Sequence, residues 1–136
     1  MFLLDTNVVS ELRRRERTDA RVGKWSDGVA ARQLFLSVIT ILELEMGTLR
    51  LQRRDAAQGN MLRVWIDRNV LPAFRGRILP VDMAVAQRCA GLHVPDPRAE
   101  RDALIAATAL VHGLRVVTRN VADFQPMGVK TLNPWE

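Results

Sequence analysis

Four carboxylates occupy positions from which they could do chemistry together. Asp5 closes the apolar run Phe2-Leu3-Leu4, and Glu43 stands early in the helical stretch that follows the run 34–38. Asp102 opens a late helix, and Asp123 follows the run that ends at Thr118. The chain holds two histidines, His93 and His112, and one cysteine, Cys89. That inventory is too small for a cysteine-rich zinc module, a histidine-based metal site or a Ser-His-Asp triad. Convergent carboxylates repel one another, and some stay protonated near neutral pH unless a cation offsets them. Ligands that are all oxygen select Mg2+ or Mn2+. Mg2+ keeps several of its waters, and such an ion can activate one of them for attack on a phosphodiester.

The elements that must position these acids follow from the hydropathy pattern. Short apolar runs alternate with helical periodicity, the pattern of an α/β fold around a mainly parallel sheet. Strands are expected over residues 2–4, 34–38, 77–81, 114–118 and 129–132, and Pro80 puts the third at the margin of the sheet. Helices are expected over 7–15, 19–31, 40–54, 55–73 and 100–112, with another capped by Asp82 and running to about 92. Gly113 suits the end of the 100–112 helix, and 119–125 reads as a turn with one helical turn. Open parallel sheets form their sites beyond the carboxyl ends of the strands. Asp5, Glu43 and Asp123 all follow strands on that edge, and the first turn of the 100–112 helix can join them.

Each acid also has a structural role open to it. Thr40-Ile41-Leu42-Glu43 has the spacing of a capping box, which by itself accounts for Glu43. Asp102 in a first helical turn complements the helix dipole. Asp5-Thr6-Asn7 can be only a strand-to-helix turn with an N-cap, although a cap at Thr6 or Asn7 would leave Asp5 unexplained at a buried strand's end. Asn120 and Asp123 are both turn formers. Cys89, Trp25 and Trp65 read as core or interface residues, His93 as a loop residue and His112 as a helix-end residue.

The 136 residues suit one domain spanning 1–136. Eighteen of the twenty basic residues are arginine, and the net charge is +5. A basic surface around an acidic pocket is the electrostatic layout of a nuclease, because arginine forks suit phosphate. The runs Arg13-Arg14-Arg15, Arg50 with Arg53-Arg54, Arg75 with Arg77, and Arg98 with Arg101 are the candidate contacts, although such runs are more often solvated faces. No apolar run approaches a membrane span, and Asp5 interrupts the opening run too early for a secretory signal. The expected compartment is the cytoplasm.

Four blocks in order then resemble one known family. Leu3-Leu4-Asp5-Thr6-Asn7-Val8-Val9-Ser10-Glu11 is similar to the opening of PIN-domain ribonucleases, specifically VapC-type toxins of type II toxin–antitoxin systems. The stretch from Ser37 to Gly47 resembles their second block, Asp102 to Ala109 the third, and Thr118 to Phe124 the fourth. Arg77-Ile78-Leu79-Pro80 and Asn133-Pro134-Trp135 resemble the FitB-like branch. The loop from Val94 to Arg101 is short for that branch, and Glu100-Arg101 put charges where members carry small residues.

The resemblance implies a three-layer α/β/α sandwich around a parallel sheet. It implies a Mg2+- or Mn2+-dependent endoribonuclease acting on RNA, often transfer RNA. It implies homodimers neutralised by a cognate antitoxin, with operator DNA bound only through that antitoxin. Asp5, Glu43 and Asp102 then become the metal-site acids, with the fourth place falling to Asn120 or Asp123, and Thr6 and Thr118 become supporting residues. The expected function is a ribonuclease toxin using a metal-activated water. The alternatives are a catalytically silent PIN module that binds nucleic acid or a partner, and a phosphatase with Asp5 as nucleophile. The second would want an acid two residues on, where Asn7 stands.

Overall fold

In β1 (Phe2–Leu4) neighbouring side chains point to opposite faces, and both faces are buried: Leu3 is 0% and Leu4 1% exposed. A strand buried on both sides needs a covering layer on each. The computed structural model, which describes residues 1–136, shows how those layers are built. β1 lies at the centre of a five-stranded, all-parallel sheet with β2 (Leu34–Ser37), β3 (Ile78–Leu79), β4 (Arg115–Val117) and β5 (Thr131–Leu132), in the order β3-β2-β1-β4-β5. Leu3 stands opposite Phe35 on one side and Val116 on the other.

Alternation along the strands feeds two cores. Leu3 and Val116 pack with Val85 of α6 (Met83–Leu92), Ile105 and Ala106 of α7 (Glu100–His112) and Phe124 of α8 (Val121–Phe124). Leu4, Leu36 and Val117 pack with Val8 of α1 (Thr6–Glu11), Val22 of α2 (Ala20–Asp27) and Leu44 of α3 (Val38–Arg54). Behind α3 comes α4 (Ala56–Trp65), continued by a π-helical stretch, Ile66–Val70, and the short α5 (Leu71–Ala73). This is the three-layer sandwich anticipated above, with β3 and its following Pro80 at the sheet margin.

Two departures bear on the site. α3 begins at Val38, not Thr40, because Ser37 caps it: its buried hydroxyl accepts from the Ile39 N–H at 3.0 Å. The Thr40–Glu43 capping box therefore does not form, and Glu43 lies in the second turn, away from the helix terminus. The 55–73 segment is likewise not one uniform α-helix, since the π-helical stretch interrupts it. An apolar pattern with mixed spacing hides such a change of winding. Arg77 is neither a solvated nor a phosphate-gripping residue. Its guanidinium donates to the carbonyls of Ala31, Leu34 and Ala73 and lies 5.2 Å from the Phe74 ring centroid, tying β2 to the segment before β3.

Gly59 sets the approach of α4 to α3. A Cβ there would stand 2.4 Å from Cγ of Gln52 and 2.5 Å from its Cα. Because backbone is in the way, the two helices would have to move apart. Gly59→Ala is expected to destabilise the fold by about 2–3 kcal/mol, a typical overpacking cost, read from the urea midpoint at unchanged m-value. An unchanged midpoint would mean that this helix pair opens freely.

Candidate active site

β1, β2 and β4 end at one edge of the sheet, and each hands its next residues to that edge. Asp5 follows β1 and is 6% exposed. Its N–H extends the ladder to the Val117 carbonyl at 2.9 Å. Its Oδ1 accepts from the Thr6 N–H at 2.8 Å, making Asp5 itself the cap of α1. Its Oδ2 accepts from the Thr118 hydroxyl at 2.8 Å and from the Asn7 amide at 3.3 Å. Thr118, fully buried after β4, also accepts from the Asn120 N–H at 3.0 Å.

Glu43 is reached from the neighbouring strand end. The Thr6 hydroxyl donates to its Oε1 at 2.7 Å, and the Thr6 oxygen lies 3.3 Å from the buried hydroxyl of Thr40. Arg101 brings Nε to 3.7 Å from Glu43 Oε2. α7 leads into β4 by running back along the sheet, so its first turn, carrying Asp102, returns to the same edge.

Two of the acids, Asp5 and Asp102, are shifted by their surroundings. Burial pushes the Asp5 carboxyl above the usual range; bonds from Thr118 and Thr6 oppose this, and the Glu43 and Asp123 charges add to it. Asp102 is pushed up to about 6, first by burial and then by the charges of Asp5, Asp123 and Glu43. Asn120 is exposed and contributes only backbone, whereas the Asp123 charge reaches both Asp5 and Asp102. Asn7 and Thr40 are members of this network that residue type alone did not single out. The signal for Asn7 was its i+2 spacing from Asp5, which lets one amide span to Thr118 as well, at 3.4 Å.

The donor set fits a hard dication. Every candidate ligand is oxygen; Asp5 is buried, Glu43 and Asp102 are half-buried and Asp123 is exposed. No three His, Cys, Asp or Glu side chains are gathered tightly enough to enclose an ion. The largest cavity, about 490 Å3, lies at the opposite end of the sheet around Gly113, Arg115 and Lys130 and has no carboxylate in its lining.

Comparison with known proteins then decides the family. The PIN domain model matches residues 2–126. The chain belongs to the PIN-domain family. The VapC ribonuclease Y4jK of Sinorhizobium fredii is 37% identical to this PIN domain over 144 residues, covering 100% of this chain and 99% of that protein. Toxin FitB of Neisseria gonorrhoeae is 38% identical over 141 residues, covering 99% of each. The crystal structure of FitAcB from the same organism superposes with a TM-score of 0.90 at 38% identity, over 100% of this chain and 99% of that one. A toxin-antitoxin complex from Klebsiella pneumoniae gives a TM-score of 0.70 at 25% identity, over 100% and 99% of the two chains. No helix of this PIN domain is long and apolar enough to cross a membrane.

The raised Asp102 carboxyl has a measurable consequence for this PIN domain. The fold favours its protonated form, so the stability it contributes is full below pH 3.8 and is lost as the pH rises through about 6. A shift of two units corresponds to about 2.7 kcal/mol for a shielded group, and solvent screening of this half-buried one reduces that to about 1 kcal/mol. In EDTA, Asp102→Asn is therefore expected to match the parent in stability near pH 3.5 and to exceed it by about 1 kcal/mol at pH 7.5. Thermal melts at the two pH values test this; equal stability at both would show that the acids are not crowded.

Proposed function

We propose that this PIN domain is the ribonuclease toxin of a toxin–antitoxin pair, hydrolysing RNA phosphodiesters, transfer RNA among them, with Asp5, Glu43, Asp102 and Asp123 as the acids that hold Mg2+ or Mn2+. The observation that carries the reading is a buried Asp5 fixed through both carboxylate oxygens at the sheet edge, with Asp102 held above the usual carboxylate range beside it by burial and by the charges of Asp5, Asp123 and Glu43. When bound, the ion supplies charge neutralisation at the phosphate and a water of lowered pKa. The chain's own residues do the rest. Thr118 and the Thr6 N–H fix both oxygens of Asp5, so that its outward lone pairs keep one orientation. The Thr6 hydroxyl fixes Glu43, and Arg101 balances part of its charge. Asp123 stands exposed at the mouth, where it would complete the set in preference to Asn120. Water as nucleophile leaves a 5′-phosphate and a 3′-hydroxyl.

The relatives' names support the toxin assignment and an antitoxin partner. Leu42 and Leu49 on α3, with Met61 and Val64 on α4, are each between 44% and 57% exposed. This apolar surface is what a second copy or the antitoxin would cover. The test of the reading is incubation of transfer RNA and a single-stranded RNA with the purified protein in Mg2+, Mn2+ or EDTA, with analysis of the product ends. Cleavage in metal alone, with 5′-phosphate ends, is the expected result. Cyclic phosphate ends, or equal cleavage in EDTA, would overturn it.

A further inference from the structure

Glu43 stands between two clefts. One, about 470 Å3, runs toward Leu42, Met46 and Arg101; the other, about 310 Å3, runs between α1, α3 and α4 toward Arg13, Arg54 and Trp65. Ser10 and Arg13 pass the second cleft on to a further all-polar depression of about 300 Å3, lined by Arg14 and Arg17. Arg13, Arg14, Arg17 and Arg54 thus line these two connected depressions, with Glu11 the one acid beyond Glu43.

Three observations say what the second cleft takes. Arg13 and Arg54 have no carboxylate within ion-pair distance, although Arg15, Arg21, Arg63 and Arg101 each have one. Arg13 is also held in place, its guanidinium 6.0 Å from the Trp65 ring centroid. An unpaired guanidinium braced on an aromatic ring is ready for an anion and loses little freedom on binding one. Finally, Gly47 forms part of the cleft wall in mid-α3, and a Cβ there would meet nothing within 4 Å. Packing does not require that glycine, and a helix-interior glycine costs about 0.5–1 kcal/mol relative to alanine. Its effect is to leave the wall open.

Resting on the ribonuclease reading above, we infer that this cleft holds the nucleotide adjoining the cleaved phosphodiester, with Arg13 and Arg54 as positioning residues on its phosphate. The cleft's volume, about 310 Å3, is at the lower end of small-ligand sites.

The test is binding of a fluorescein-labelled single-stranded RNA, followed by anisotropy with Ca2+ replacing Mg2+ to limit turnover, across a salt series. Arg13→Gln and Arg54→Gln are each expected to weaken binding about tenfold and to flatten the log–log salt slope by about 0.7, the value for one released phosphate contact. Arg15→Gln, which removes a cation engaged by Asp27, is the control and should leave the slope unchanged. Gly47→Leu should weaken binding while the melting temperature holds or rises. If the parent cleaves RNA and the two arginine variants keep its slope, the cleft is not in the strand path and the inference falls alone. If the variants bind RNA normally but lose the antitoxin, the cleft is a protein site and the inference is overturned. If the parent neither binds nor cleaves RNA, the ribonuclease reading fails first.

Discussion

Asp5→Asn is expected to lower RNA cleavage by about 1,000-fold and to leave the melting temperature unchanged or higher. Loss of an outer-shell partner at a metal site costs about 10–100-fold, and a buried oxygen presented directly to the ion should cost more. The fold should survive because the amide keeps most of the present bonds. Its oxygen still accepts from the Thr6 N–H, and the Thr118 hydroxyl can rotate to accept from the new NH2 group. The substitution also removes a charge that burial disfavours. Initial rates in Mg2+ together with a thermal melt test both halves. Near-parental cleavage would remove Asp5 from the site, and a collapsed melt would show that its carboxylate is chiefly structural.

Glu43→Gln separates two roles that residue spacing alone could not. A capping glutamate tolerates glutamine, so a cap role predicts full activity. The structure places Glu43 a turn beyond the terminus that Ser37 caps, with the Thr6 hydroxyl on Oε1. Glutamine can accept that bond equally well, so stability should change by less than about 0.5 kcal/mol. Cleavage should fall by about 100-fold or more, since the negative charge is what a cation would use. Titration of activity with Mn2+ sharpens the result: a variant whose loss is partly recovered at high Mn2+ has lost affinity for the ion. Full activity at ordinary Mg2+ would leave Glu43 as a brace for Thr6 and Arg101 only.

Strand positions and acid positions were legible because both obey simple rules. Leu3 and Leu4 had to be buried on opposite faces, and Asp5 had to stand at the sheet edge where its strand ends. Asp82 and Gly113 terminate helices by local chemistry and stand where local chemistry puts them. Other features depended on competition between neighbours. Ser37 and Thr40 are both good caps three residues apart, and only the end of β2 decides between them. Asn120 and Asp123 share one turn, and which of them reaches the acids depends on the direction in which α8 leaves Thr118. Arginine runs were the least legible. Arg77 is consumed by carbonyls, Arg15 by Asp27 and Arg101 by Glu43, while Arg13 and Arg54 stay free. No pattern of charge along the chain distinguishes these fates, because the partners come from distant segments.

The central place of β1 also has a consequence in time. The first strand to be synthesised is flanked on one side by β4, and Asp5 is fixed there by the Val117 carbonyl and the Thr118 hydroxyl. Contacts between such remote segments form only after the intervening chain has been made. A nascent chain that has reached residue 100 has Asp5 and Glu43 but lacks Asp102, Thr118 and Asp123. If the proposed acids form the centre, such a fragment lacks half of it, and so does a product that ends before residue 102. On the proposed function, a cell translating this message would meet cleavage only from chains that are nearly finished, and the interval in which a neutralising protein must act would open near the close of synthesis.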